Sequence, residues 1–364
     1  MKTLHILVVT RNRLTGLIDA LASVKRLSLL LGGIINIETT VQDNSDLAVP
    51  CFVINYFSQY FTLHYYKSLR LLSMSDNWNE GLMHVLKQNP SYVSVLADRR
   101  LVTANLIVAI RQLEERRQPF ICFDHQDVWI NARKILIRGH SYELKETDRY
   151  SLLAAIGSAQ INWHYPMLFN CILTTEFMHS LLERYGSLSE GSSPDMNFLA
   201  RIADLGIKSY LTYDAPCIIT NARHAARSNG SSALKTGTIH DIEHTRLSGV
   251  EAYPAYMDNF VTANITGSLS RYWSKSKMRA LIDATGFFRS SLLELSYPKS
   301  EVAFLAMRSS LYDYVSDFKL NPDFIQAIDQ TPHLHSSSQT YPMESNADLV
   351  NTPKLKLIAK VERL

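Results

Sequence analysis

The sequence predicts an α/β fold: a Rossmann-like, mostly parallel sheet flanked by helices, followed by a helical C-terminal extension. Three observations predict it. Short apolar runs, rich in β-branched residues, recur at Leu4–Thr10, Ile35–Val41, Thr62–Tyr66 and Tyr92–Leu96. Segments of helical periodicity lie between them, and strand–helix alternation favours parallel pairing. The runs also end abruptly in polar residues, most sharply where Tyr92–Leu96 leads into Asp98, Arg99 and Arg100. In open α/β sheets, ligands bind at the carboxyl ends of the strands.

Taken in order, Leu4–Thr10 is a buried strand. Leu14–Leu31 is a helix with Leu14, Leu17, Ile18, Leu21 and Val24 at helical spacing. Ile35–Val41 is a strand that ends in the polar turn Gln42 to Asp46. Val53–Phe61 is a short helix and Thr62–Tyr66 a third strand. Ser75-Asp76-Asn77 starts a helix over Trp78–Lys87. Tyr92–Leu96 follows, and Thr103 caps a helix that runs to Arg117. Phe120–Phe123, Val128–Ala132 and Lys134–Arg138 read as short strands, and Asp148–Ile156 as a helix. Met167–Thr174 is apolar, and Glu176–Tyr185 is helical. Ser193-Pro194-Asp195 opens another helix: serine at the N-cap, proline at N1, an acid in the first turn. Gly206 stops it. Ile207–Thr212 and Cys217–Thr220 are strands, and Asn221–Gly237 is a polar loop. The expected organisation is one α/β domain over 1–237, a helical region over 238–330 with aromatics throughout, and a flexible, Ser/Pro/His-rich tail over 331–364.

Composition narrows the function classes. The chain has 364 residues and 46% hydrophobic residues, enough for a large core. A formal charge of +3 is too small to imply a nucleic-acid partner or an anionic membrane surface. The four cysteines have no paired spacing and read as reduced residues of a cytoplasmic protein. No apolar stretch reaches the ~18 residues of a spanning helix. A soluble protein is expected, with peripheral attachment to a membrane left open. Asp124-His125-Gln126-Asp127 has metal-ligand residue types, but adjacent strand positions alternate faces and no second pair completes a site.

The order of motifs resembles the family 2 glycosyltransferases, which have the GT-A fold. Val8-Val9-Thr10-Arg11-Asn12-Arg13 resembles the family's opening strand and Val41-Gln42-Asp43-Asn44-Ser45 its second. Asn79-Glu80-Gly81-Leu82 resembles its Asn-x-Gly helix start. Tyr92–Arg100 occupies the place of the strand that ends in an acidic metal motif. Ser193-Pro194-Asp195, with Arg201 and Gly206, resembles the acceptor helix, and His224 with Ser228 the later loop that returns to the donor phosphates. The likeness spans Lys2 to Gly237. It departs at the opening, which lacks proline and tyrosine, and at Asp98, a lone acid followed by two arginines.

The resemblance implies transfer of a sugar from a nucleotide-sugar donor to an acceptor hydroxyl of a glycan or glycolipid, with inversion. Thr10, Arg13, Asp43 and Asp98 are the implied nucleotide residues. Arg99, Arg100 and His224 supply charge for the diphosphate, since an arginine fork matches phosphate oxygens. Asp195 is the implied base. No metal ligand set is expected; a weakly bound Mg or Mn stays open. Two rivals are weighed. A nucleotidyltransferase needs a glycine-rich phosphate loop, and Thr10 to Leu14 holds no glycine. A catalytically degenerate nucleotide-sugar or glycan-binding module is favoured by Arg99 standing where an acid is usual. The sugar, base, acceptor and oligomeric state are not legible.

Overall fold

The computed structural model describes residues 1–98, 100–128, 144–158, 165–190, 194–220, 265, 268–281, 283–296, 301–317 and 319–333. The chain divides into two compact units: Met1–Arg149 with Asn162–Gly237, and Tyr150–Ile161 with Thr238–Leu364.

The first unit is built on a nine-stranded sheet. Its strands are β1 (Thr3–Thr10), β2 (Asn36–Asp43), β3 (Thr62–Lys67), β4 (Tyr92–Ala97), β5 (Arg100–Val102), β6 (Phe120–Val128), β7 (Leu144–Thr147), β8 (Cys171–Thr174) and β9 (Ser209–Thr220). Their order is β3-β2-β1-β4-β8-β6-β9-β5, with β7 also on β9. β3, β2, β1 and β4 pair in parallel, as do β6 and β9; β8, β5 and β7 run the other way. The fold class expected from the sequence is the one observed. β1 is buried along both faces, because helices cover each side.

One face of the parallel strands carries α1 (Leu14–Leu31) and α2 (Cys51–Phe57); Leu17, Leu21, Val24 and Val53 join Ile6, Val8, Ile37 and Val41 in its core. The other carries α3 (Met74–Leu86). Gly81 is what lets α3 sit down: a Cβ there would lie 2.8 Å from a Leu7 methyl and 3.0 Å from Gln42 Cβ. Helices α4 (Leu106–Glu115), α6 (Thr175–Tyr185) and α7 (Pro194–Leu205) complete the unit.

Several expectations are corrected. α2 begins and ends earlier than Val53–Phe61. α3 starts at Ser73, whose side chain accepts from Asp76 N–H, rather than at Ser75. Thr103 is not the N-cap residue: α4 begins at Leu106 with Asn105 at its N-cap position. β5 and β7 were not anticipated; each is four residues or shorter and takes its sheet pairing from β9, a partner distant in sequence, while the Val102 N–H of β5 also donates to Ser23 on α1. β9 is one strand, not two. It spans Pro216 where its register with β6 shifts. Of the short strands expected between 128 and 138, most lies outside the described residues.

The second unit is helical where described, as the sequence predicts: α5 (Arg149–Gly157), α8 (Lys275–Leu281), α9 (Ala284–Leu295), α10 (Glu301–Asp317) and α11 (Asp323–Asp329). Phe288 stacks on Phe324 at 4.5 Å, and Arg308 pairs with Asp329 at 2.7 Å. The Gly157 carbonyl accepts from Asp283 N–H at 3.0 Å. The tail over 334–364 lies outside the described residues.

Candidate functional site

Register brings the strand-end residues together. Thr10 is the pairing partner of Asp43, and Val9 pairs with Ala97, which sets Asp98 beside Thr10 on the opposite flank. Period-two alternation then points all three toward the α1 face. Asp98 is 2% exposed. It accepts from the Thr10 hydroxyl at 3.0 Å and from the Arg13 guanidinium at 2.9 Å, one carboxylate oxygen each. The turn that carries Asp98 closes on α1 at Gly16, where a Cβ would stand 2.2 Å from the Asp98 carbonyl oxygen. Gly16 is therefore a residue of this site that sequence reasoning missed. Its signal, a glycine in the first turn of a helix, is too common to be diagnostic.

Asp43 is fully buried and its oxygens are both engaged. Ser45 N–H donates to one at 2.8 Å, forming an Asx turn, and Tyr65 Oη donates to the other at 2.7 Å. Burial, then the bond to Asp43, pushes the Tyr65 hydroxyl up to about 12, so it stays a donor. Asp43 thus shapes the rim of the crevice. The rim is tied across its strands. Asn12, at φ 54°, donates its N–H to Ser45 Oγ and exchanges side-chain bonds with Asp46. Asn44 grips both N–H and C=O of Leu72.

Beyond β2, a cavity of about 330 Å³ is lined by Lys67, Ser68, Leu69, Arg70, Leu72 and Glu80. The Gln42 amide nitrogen donates to Ser68 Oγ at 3.0 Å and to Glu80 at 3.4 Å, while its Oε1 is buried with no hydrogen-bond partner. Gln42 lies behind the cavity wall and fixes two of its lining side chains, Ser68 and Glu80. These residues were also missed, although cations just past a parallel strand are the same kind of signal that singled out Asp98. A larger hollow of about 550 Å³ lies elsewhere, between α1 and the β5–α4 segment, with mostly apolar lining. It holds none of the residues at the ends of the parallel strands, so the smaller cavity is the better candidate.

Asp195 lies half-buried in the first turn of α7. The segment leading into α7 is fastened from several sides. Asn79 Oδ1 accepts from Leu188 and Ser189 N–H at 2.9 and 3.2 Å. Asn197 Oδ1 accepts from Glu190 N–H. Arg201, fully buried, donates to the Ser187 carbonyl at 2.6 Å, pairs with Glu190 at 3.3 Å and faces the Tyr185 ring. This explains Asn79-Glu80-Gly81 physically. Gly81 seats the helix on the sheet, Glu80 lines the cavity, and Asn79 anchors the chain that presents Asp195.

Arg100 is directed to Phe169: its guanidinium lies 3.5 Å from the ring centroid and donates to the Phe169 carbonyl at 3.3 Å. The arginine on the Asp98 carboxylate is Arg13. Arg99 and His224 lie outside the described residues, as does Ser193. A divalent metal, which the resemblance makes conceivable, would look to Asp98. With Arg13 on one oxygen and Thr10 on the other, the residues present do not fit it well. At ~5 Å and an effective dielectric near 20, one guanidinium costs a dication several kcal/mol. Among the described residues no group of three or more His, Cys, Asp or Glu is placed to hold a metal ion.

No protein-family model and no curated sequence matches the chain. Among solved structures, it is similar to residues 1–349 of S. aureus TarS, with a TM-score of 0.49 and 13% identity over 91% of this chain and 92% of that one. The same TarS piece in complex with UDP-GlcNAc gives 0.47 and 12% over 88% and 93%. In complex with UDP it gives 0.48 and 13% over 95% and 94%. At these scores and identities the likeness carries no argument; the fold is read from the sheet itself.

Proposed function

We propose that this chain is a glycosyltransferase of the GT-A type. It moves a sugar from a nucleotide-sugar donor to a hydroxyl of a glycan or glycolipid acceptor, with inversion. The observation that carries the reading is the row Asp43, Thr10, Asp98: three polar residues in register at the carboxyl ends of adjacent parallel strands, beside a cavity with Lys67 and Arg70 at its wall. The nucleotide lies along this crevice. Arg13, Arg99 and His224 are the candidates for holding the diphosphate as charge develops on it, whereas Arg100 is directed to Phe169.

In the reaction the acceptor oxygen attacks the anomeric carbon from the face opposite the diphosphate. The bond from that carbon to the diphosphate oxygen breaks, and the acceptor proton passes to Asp195. A first-turn acid is kept ionised by the helix N-terminus, which favours an acceptor role while weakening the base. Asp195→Asn should retain donor binding and lose most turnover, measured by product formation alongside donor titration; near-normal turnover excludes Asp195. A panel of nucleotide sugars screened by thermal shift should find one that raises Tm, because a ligand of the native state stabilises it. Asp98→Ala should remove that shift. A panel in which none raises Tm sinks the proposal.

One observation favours a second reading, a binding module without turnover: the lone acid Asp98 is already neutralised by Arg13. A donor that binds yet is never consumed with any acceptor offered would favour that reading.

A further inference from the structure

The outer side of α1 and α2 is unusually apolar. Ile18 is 36% exposed, Leu29 67%, Leu30 58%, Phe52 74% and Tyr56 47%. Ile18, Lys25 and Leu29 fall on one line of α1, at spacings of seven and four. Phe52 stands one turn before Tyr56 on α2. The two rows form one surface, because Lys25 Nζ donates to Tyr56 Oη at 2.8 Å and lies 3.5 Å from the Tyr60 ring centroid. Lys25 lies on this surface, Arg26 and Asp19 flank it on the side of α1 that lines the larger hollow, and α2 holds no charged residue.

Large apolar side chains, tyrosines with a wet hydroxyl and flanking cations are what an interfacial surface needs. Among the described residues no helix is long and apolar enough to cross a membrane, so such a surface would lie on a bilayer and not span it. We infer that the α1–α2 face docks on a bilayer carrying anionic lipids. A second copy of the chain is the rival occupant. A two-fold contact sets a patch against itself. Here that would gather Lys25 and Arg26 of both copies into one contact with only the two Asp19 carboxylates in relief, whereas an anionic headgroup layer complements the cations. The inference is independent of the nucleotide-sugar reading.

The full chain is sedimented with vesicles of phosphatidylcholine alone and of an equal mixture with phosphatidylglycerol. It should partition onto the mixed vesicles and much less onto the neutral ones, and raised salt should weaken the binding. Leu29→Glu with Phe52→Glu should lower partition at least about tenfold. Lys25→Gln with Arg26→Gln should lower it on mixed vesicles only, and this pair stays informative if the glutamate variant folds poorly. Circular dichroism melting checks each fold. No binding to mixed vesicles overturns the inference, as does wild-type binding by both variants. A concentration-dependent dimer in sedimentation velocity, abolished by Leu29→Glu, overturns it in favour of self-association.

Discussion

Asp98 illustrates how little freedom a site residue has. Its carboxylate is held by Thr10 and Arg13, and its carbonyl rests on Gly16. Gly16→Ala would place a methyl 2.2 Å from that oxygen, so the turn must move. We expect a loss of about 1–3 kcal/mol in denaturant unfolding and of nucleotide binding, the scale of overpacking. Gly33→Ala is the control, since a Cβ there meets nothing within 4 Å; an equal loss in both would deny Gly16 its role. His5 makes a pH prediction. It is buried on β1 against Thr40, and burial, then the nearby His64, lowers it to about 3. Between that value and the ordinary 6.5 only the unfolded state takes the proton. The stability from neutral His5 is therefore present above about 6.5 and lost as pH falls toward 3, at up to about 1.4 kcal/mol per pH unit. His5→Asn should flatten this part of a stability–pH profile, measured by urea unfolding; an unchanged slope would assign it to other groups.

At the scale of elements, α3 joins the sheet to α7. Gly81 rests on Leu7 and Gln42, while Asn79 takes the two N–H groups of Leu188 and Ser189. Removing that acceptor strands two donors and frees the segment ahead of Asp195. Asn79→Ala should lower kcat by ten- to a hundredfold while donor Kd stays within about twofold, the pattern of a misplaced catalytic group and an intact binding crevice. Calorimetric titration and steady-state kinetics separate the two; equal losses in both would mean that α3 itself has shifted.

For the whole molecule, we expect the proposed reaction to run with little or no divalent metal, because the Asp98 carboxylate is already paired with Arg13 at 2.9 Å. Turnover should survive excess chelator, and Arg13→Ala should lower it by roughly a hundredfold, the effect of losing one oriented charge. Activity that vanishes with chelator and returns with manganese would show an ordinary metal-dependent site.

β1 and β4 were legible because strands covered on both faces are written as largely apolar runs, β2 because Ile35, Ile37 and Val41 recur among β-branched threonines, and the polar ends of all three marked Thr10, Asp43 and Asp98 as neighbours before any pairing was known. Helix starts at Ser73 and Pro194 lay within two residues of local capping signals, for capping is a short-range bond. What only the tertiary structure decided has partners far apart in sequence. Arg13 rather than Arg100 meets Asp98, 85 residues on. Asn79 serves a segment 109 residues later. β5 and β7 exist because β9 is there to pair with them. Local sequence encodes backbone preference and burial, which act within a few residues; which side chain answers which charge depends on distances that exist only once the sheet has closed.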